Sequence, residues 1–99
     1  MPAYVVAHFT IDDEQAYRRY AEAFARVIAP YNGEVLAADD NKPILEGEAP
    51  QGRTVILRFP DMETATAWWK SPEYQEIAEH RRAGTSPYLI TIVEGRTGA

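Results

Sequence analysis

Five residues of this chain are candidates for a small-molecule site: His8, Tyr17, Trp68, Tyr74 and Arg81. Histidine is the usual general acid or base near neutral pH. Tyrosine and tryptophan combine a flat apolar surface with one hydrogen-bond donor. Arginine can hold a carboxylate through two parallel hydrogen bonds. Together these side chains are suited to a small ligand that is anionic and partly aromatic.

Each candidate also has a purely structural interpretation. His8 falls in a predicted strand, on the face that alternation turns away from the helices, where it could be a hydrogen-bonded structural residue. The aromatic residues recur at helical spacing, which is typical of core packing as well as of a pocket wall. Arg81 either clamps a ligand carboxylate or pairs internally with Glu46 or Asp61. The sequence leaves these alternatives open.

Composition and spacing argue against several other kinds of site. There are no cysteines, so disulfides, thiolate metal sites and cysteine nucleophiles are excluded. The two histidines, His8 and His80, have no carboxylates at metal-ligand spacing. The glycines are too scattered for a phosphate loop, and no nucleophile-elbow motif surrounds Ser71. Arg53 and Glu46 flank a glycine-rich loop and either line the mouth of a site or form a surface ion pair, which is the favoured interpretation. We therefore expect neither a metal nor another cofactor.

Length and charge restrict the classes of function. The chain has 99 residues and is predicted to form a single domain over residues 1–99. Apolar residues make up 45% and charged residues 25%, an ordinary globular composition. A net charge of −5 argues against nucleic acid or an anionic membrane as a partner. The N-terminal segment lacks the features of a signal peptide, so a cytoplasmic protein is expected.

The stretch 59–74 is the segment around which the predicted fold is organised. Pro60 ends an alternating strand because it cannot donate a ladder hydrogen bond. Asp61 is a predicted N-cap for a short helix. Ser71 offers a second cap, and Pro72 suits the first position of a new helix. The second helical region is therefore predicted to consist of two segments that point in different directions.

The remaining elements complete a βαββαβ order. The first helix is predicted to run from an N-cap at Asp12 to about Tyr31. Residues 84–87 are predicted to be a loop. Strands are predicted at 3–10, 34–39, 44–46, 53–59 and 88–94. This order predicts an α+β fold of the ferredoxin-like type, an antiparallel sheet with two helices on one face.

Both faces of the predicted sheet carry apolar residues. In the first strand Val5 and Val6 point to opposite faces of the sheet, and in the third strand Ile56 and Leu57 do the same. The helices can cover only one of these faces. The simplest cover for the other face is a second copy of the same sheet, so the protein is predicted to be a homodimer.

Several motifs resemble the domain of unknown function 1330 family, within the dimeric α+β barrel superfamily. They are Tyr17-x-x-Tyr20, Asn32-Gly33-Glu34, Leu45-Glu46-Gly47, Arg53-x-Val55-x-x-x-Phe59-Pro60, Ala67-Trp68-Trp69-x-Ser71-Pro72-Glu73-Tyr74, Arg81 and Val93-Glu94-Gly95. The chain departs from the family pattern at Arg58, where an acid is common, and at Trp69, where tyrosine is common. The resemblance implies a ferredoxin-like protomer and a face-to-face dimer, without an established activity.

The resemblance also implies a range of functions. Similar dimeric barrels include monooxygenases, isomerases and dehydratases that act on aromatic or polyketide-like substrates between sheet and helices. In a cofactor-free enzyme of this kind His8 would be the base and Arg81 an anion clamp. A ligand-binding dimer without turnover and a purely structural dimer are the alternatives, so enzymatic activity stays an open question. A pocket of at least about 300 Å³ beside His8, Trp68 and Arg81 would favour a ligand.

Overall fold

A computed structural model of the chain describes residues 1–48 and 51–96. In chain order the elements are β1 (Ala3–Ile11), α1 (Glu14–Ile28), a 3-10 turn (Ala29–Tyr31), β2 (Glu34–Asp39), β3 (Arg53–Phe59), α2 (Met62–Lys70), α3 (Pro72–Gly84) and β4 (Thr85–Glu94). The strands form one open antiparallel sheet in the order β2-β3-β1-β4. The predicted ferredoxin-like fold is therefore confirmed. No helix within these ranges has both the length and the hydropathy needed to cross a bilayer.

The core lies between one face of the sheet and the helices. In β1 every second residue from Ala3 to Phe9 is buried, and the residues between them are only partly buried. Register places Val5 beside Leu57, and Ala3 beside Phe59, on this buried face. The helices contribute Tyr20, Val27, Ile28, Ala65, Trp68, Tyr74, Ile77 and Ala78 to the same cluster.

The predicted break between α2 and α3 is present at Ser71. Its hydroxyl donates to the carbonyl oxygen of Trp68 at 2.8 Å and accepts from the backbone N–H of Tyr74 at 3.1 Å. Pro72 is the first residue of α3. Asp61 caps α2 as predicted and accepts from the N–H of Thr64 at 2.7 Å. One serine thus ends one helix and starts the next, which fixes the change of direction.

The predicted N-cap of α1 is wrong by one residue. Asp13, not Asp12, accepts from the backbone N–H groups of Gln15 and Ala16, at 3.0 and 3.2 Å. The Asp12 carboxylate instead accepts a hydrogen bond from the hydroxyl of Ser86, the second residue of β4. A tertiary contact therefore holds the aspartate that the local spacing favoured as a cap.

The predicted strand at 44–46 is also absent. β2 pairs directly with β3, so these residues lie in the connection between them. A turn follows β2, in which the carboxylate of Asp39 accepts from the N–H of Asn41 at 2.8 Å. Leu45 is 91% exposed. Ile44, at 47% exposed, and Leu45 are therefore apolar residues of a connection and not of a strand.

The predicted loop at 84–87 is wrong, because β4 begins directly after α3. The carbonyl oxygen of Gly84 accepts from the N–H groups of Asp12 and Asp13, at 2.7 and 3.1 Å. A Cβ at Gly84 would lie 2.8 Å from the Asp13 carbonyl oxygen, so only glycine allows this approach. Pro87 is accommodated in the strand because β4 is an edge strand with a register shift there.

The outer face of the sheet, opposite the helices, is partly apolar, as predicted. Register places Val6 beside Ile56, and Tyr4 beside Val93, on this face. Leu89 lies on the same face and is 56% exposed. No element in the described ranges packs over these residues, since the helices lie on the opposite side. The single chain therefore leaves a second apolar surface uncovered.

Candidate functional site

A cavity of about 160 Å³ lies between the sheet and the three helices. Its lining consists mainly of apolar and aromatic residues, and the charged residues of the lining are Arg53 and Arg81. The volume is below the roughly 300 Å³ expected for a drug-sized ligand. It is close to the roughly 150 Å³ that holds a benzene molecule in an engineered protein cavity. The space therefore matches one aromatic ring.

Four of the five predicted site residues meet at this cavity. Tyr17, Trp68, Tyr74 and Arg81 all line it. His8 does not, because it lies on the outer face of the sheet, as strand alternation requires. The binding role of all five residues stays a prediction, but the structure separates His8 from the others.

The surroundings of His8 are those of a sheet surface. Its Nδ1 lies 3.0 Å from the hydroxyl oxygen of Thr54 on the neighbouring strand. Its ring stacks on Tyr88, with ring centres 5.2 Å apart. A base at His8 could not reach a molecule in the cavity, since the sheet lies between them.

Arg81 is a buried cation at the wall of the cavity. Only 4% of its surface is exposed, and its guanidinium carbon lies 6.0 Å from the Tyr20 ring centre and 5.9 Å from that of Trp69. Within the described residues it has neither an ion pair nor a side-chain hydrogen bond, and its buried Nε lacks a partner. The predicted internal pairing with Glu46 or Asp61 is therefore absent. A buried charge is costly unless an anion compensates it.

Two tyrosines and a tryptophan line the cavity together with Arg81. The hydroxyl oxygens of Tyr20 and Tyr74 lie 3.1 Å apart in a buried hydrogen bond. Burial, and then the neighbouring Tyr74, raises the pKa of Tyr20 well above its ordinary value, so its phenol stays protonated. The Nε1 of Trp68 is buried without a hydrogen-bond partner. Since one hydroxyl of the tyrosine pair donates to the other, one phenol proton remains for a further acceptor.

Tyr20 was not among the predicted site residues. The signal for it was its place in the Tyr17-x-x-Tyr20 motif, because residues three apart share one face of a helix. The structure confirms that proximity, with the two ring centres 5.7 Å apart. Both tyrosines line the cavity.

Arg53 is the second cation at the cavity, and it has a partner. Its Nε and Nη2 donate to the two carboxylate oxygens of Asp40, at 2.7 and 3.1 Å. These hydrogen bonds lower the pKa of Asp40. The guanidinium also lies over the Tyr17 ring, 5.4 Å from its centre. The predicted pair of Arg53 with Glu46 is therefore wrong, and Asp40 takes that place.

The described lining contains no residue that is suited to act as a base. It has no aspartate, glutamate, histidine, lysine or cysteine, and its titratable groups are tyrosines and arginines. Across the described ranges there is also no group of three or more potential metal ligands among His, Cys, Asp and Glu. The described lining therefore carries cationic groups but no general base.

Nearly the whole chain matches a protein-family model. The model of a domain of unknown function, DUF1330, matches residues 2–96. The chain belongs to this family. Among curated proteins no sequence matches this DUF1330 chain.

Solved structures share the fold of this DUF1330 protein at low identity. A protein of unknown function from Rhodopseudomonas palustris superposes with a TM-score of 0.80 at 16% identity, covering 97% of this chain and 83% of its own. A dimeric ferredoxin-like protein of unknown function from Jannaschia sp. gives 0.69 at 19%, with coverages of 96% and 100%. SnoaB from Streptomyces nogalater, described as a cofactor-independent oxygenase, gives 0.61 at 16%, with coverages of 97% and 94%.

Proposed function

We propose that this protein binds a small anion that carries one aromatic ring, in the cavity beneath its helices. Arg81 is the observation that carries the proposal. It is 4% exposed, and no acid or hydrogen-bond acceptor within the described residues compensates its charge. Stacking on two aromatic rings offsets only part of the cost, because such contacts contribute about 0.5–2 kcal/mol each. An anionic ligand would supply the missing partner.

The rest of the lining supports an aromatic body for that ligand. Phe9, Tyr17, Phe24 and Trp69 contribute flat rings to the walls. A volume of about 160 Å³ matches one aromatic ring. The apolar surface would hold the ring, and Arg81 would fix the position of the acidic group.

Binding without turnover fits the lining better than acid–base catalysis does. An enzyme that removes a proton needs a base within hydrogen-bond reach of the substrate. None of the described residues around the cavity provides one. The likeness to SnoaB offers a precedent for cofactor-free chemistry on this fold, but at 16% identity it concerns the fold alone. Transformation of the ligand would therefore depend on groups that the ligand itself carries.

Benzoate and benzamide form a matched pair of probes for this proposal. They have nearly the same shape, but only benzoate is charged at neutral pH. We expect benzoate to bind at least about tenfold more tightly, because a hydrogen bond to a charged group contributes roughly 1.5–3 kcal/mol. Isothermal titration calorimetry measures both affinities. Equal binding of the two probes, or binding of neither, would contradict the proposal.

We also propose that two copies join through the outer face of the sheet. In the single chain Leu89 and Val93 are 56% and 47% exposed there. The Jannaschia structure of the same fold is described as dimeric. Light scattering at micromolar concentration is expected to give twice the chain mass of 11.1 kDa.

A pair of leucine substitutions tests which surface forms the dimer. Leu89→Glu places a charge on the outer face and is expected to shift the protein toward monomers. Leu45→Glu places the same charge in the β2–β3 connection, where the side chain is 91% exposed, and is expected to leave the mass unchanged. A wild-type particle of one chain mass would refute the dimer, and an unaffected Leu89→Glu dimer would refute the face.

A further inference from the structure

We propose that Asp40 makes the cavity selective for ligands that carry a single negative charge. By occupying Arg53, it leaves the cavity with one uncompensated cation, so that the site selects single anions over double anions. This inference rests on the proposed function and concerns the same cavity. Asp40 would act as a specificity residue although it does not line the cavity itself.

The two arginines that line the cavity differ in whether a carboxylate pairs with them. Arg81 is buried and has no anionic partner within the described residues. Arg53 lines the same cavity, but Asp40 engages its guanidinium in a two-point pair, at 2.7 and 3.1 Å. The Tyr17 ring lies beside that guanidinium, with its centre 5.4 Å from the guanidinium carbon. Asp40 therefore occupies the Nε–Nη2 edge of the guanidinium and compensates its charge.

A second carboxylate on the ligand would gain little at Arg53. To reach the two donors it would have to displace Asp40, which exchanges one arginine–carboxylate pair for another. The ligand group would still lose its hydration on entering the cavity. If Asp40 stayed in place, two carboxylates would lie close together and repel each other. A ligand that is uncharged on the side facing Arg53 avoids both the loss of hydration and the repulsion.

The fold itself provides a matched control. Arg58 of β3 and Glu34 of β2 form a second arginine–carboxylate pair, with an Nη1–Oε1 distance of 3.1 Å. These side chains are 47% and 56% exposed and do not line the cavity. Asp40 is similarly exposed, at 55%. Neutralising either acid changes the net charge equally, but only one change releases a cation at the cavity.

The experiment compares Asp40→Asn with Glu34→Gln. Calorimetry measures the binding of benzoate and of the three benzenedicarboxylate isomers, which place the second carboxylate at three distances. Wild type is expected to prefer benzoate to every isomer. Asp40→Asn is expected to tighten binding of at least one isomer about tenfold, since a charge-assisted hydrogen bond becomes available. Benzoate affinity should change by less than about twofold.

The controls decide between local and general effects. Glu34→Gln should leave the preference of the wild type unchanged, and the double variant Asp40→Asn with Arg53→Gln should lose the gain. Circular dichroism verifies that each variant is folded. An unchanged isomer affinity in Asp40→Asn, or an equal gain in Glu34→Gln, would overturn the proposal. If wild type binds no benzoate, both the proposed function and the role of Asp40 are rejected. If wild type binds benzoate but Asp40→Asn gains no affinity for any isomer, only the role of Asp40 is rejected.

Discussion

Replacing Trp68 with alanine is expected to destabilise the protein by about 3–5 kcal/mol, the usual cost of removing a large aromatic side chain from a core. Trp68 is 1% exposed. Its ring centre lies 4.1 Å from that of Tyr74 and 5.0 Å from that of Phe59. It also contacts Phe24 of α1, edge to face, at 6.2 Å. Removal of this side chain would therefore loosen α1, α3 and the sheet together.

Urea unfolding at a fixed protein concentration measures this loss, because the stability of a dimer depends on concentration. Trp68→Phe provides the control. It keeps an aromatic ring in the core and removes an indole N–H that is buried without a partner, so its cost should be clearly smaller. A loss below about 1 kcal/mol for Trp68→Ala would show that the residue is not a core element.

The features that were predictable from the sequence are local ones. The end of α2 and the start of α3 depend on Ser71 and Pro72, whose preferences act within one turn of helix. The two faces of β1 follow from alternation alone. Alternation also predicted that His8 would face away from the helices. The prediction of one site that contains both His8 and Arg81 was inconsistent with this alternation. These positions could be assigned because each depends on its immediate neighbours.

The features that were missed depend on contacts between distant parts of the chain. Gly84 leads directly into β4 because its carbonyl oxygen bonds to Asp12 and Asp13. The pairing of Arg53 with Asp40 depends on how the connection between β2 and β3 is folded. Whether Arg81 has a partner depends on the elements that surround it. No spacing in the sequence shows which acids lie within reach of a given arginine.

Replacing Arg81 with methionine is expected to have two opposite effects. Anion binding should fall at least about tenfold, because the charge that holds the ligand is lost. The unliganded protein should gain about 1–2 kcal/mol in its free energy of unfolding, since an apolar side chain of similar length replaces a buried charge that has no anionic partner. The loss of stacking on Tyr20 and Trp69 limits this gain.

Arg82 provides the control for Arg81. It is the next residue of α3, it is exposed, and its Nη2 donates to the side-chain oxygen of Gln75 at 2.7 Å. Arg82→Met should therefore change stability by no more than about 0.5 kcal/mol and leave benzoate binding intact. Thermal unfolding with and without benzoate measures both effects.

The two effects at Arg81 are informative only in combination. A residue that serves the fold should lower stability when it is replaced, whereas a residue kept for a ligand should raise it. If Arg81→Met lowers stability and the wild type shows no benzoate-dependent shift in Tm, the guanidinium acts as a packing element between Tyr20 and Trp69. If stability rises while binding is lost, the buried charge lowers the stability of the unliganded protein, and the anion that compensates it is the ligand of the cavity.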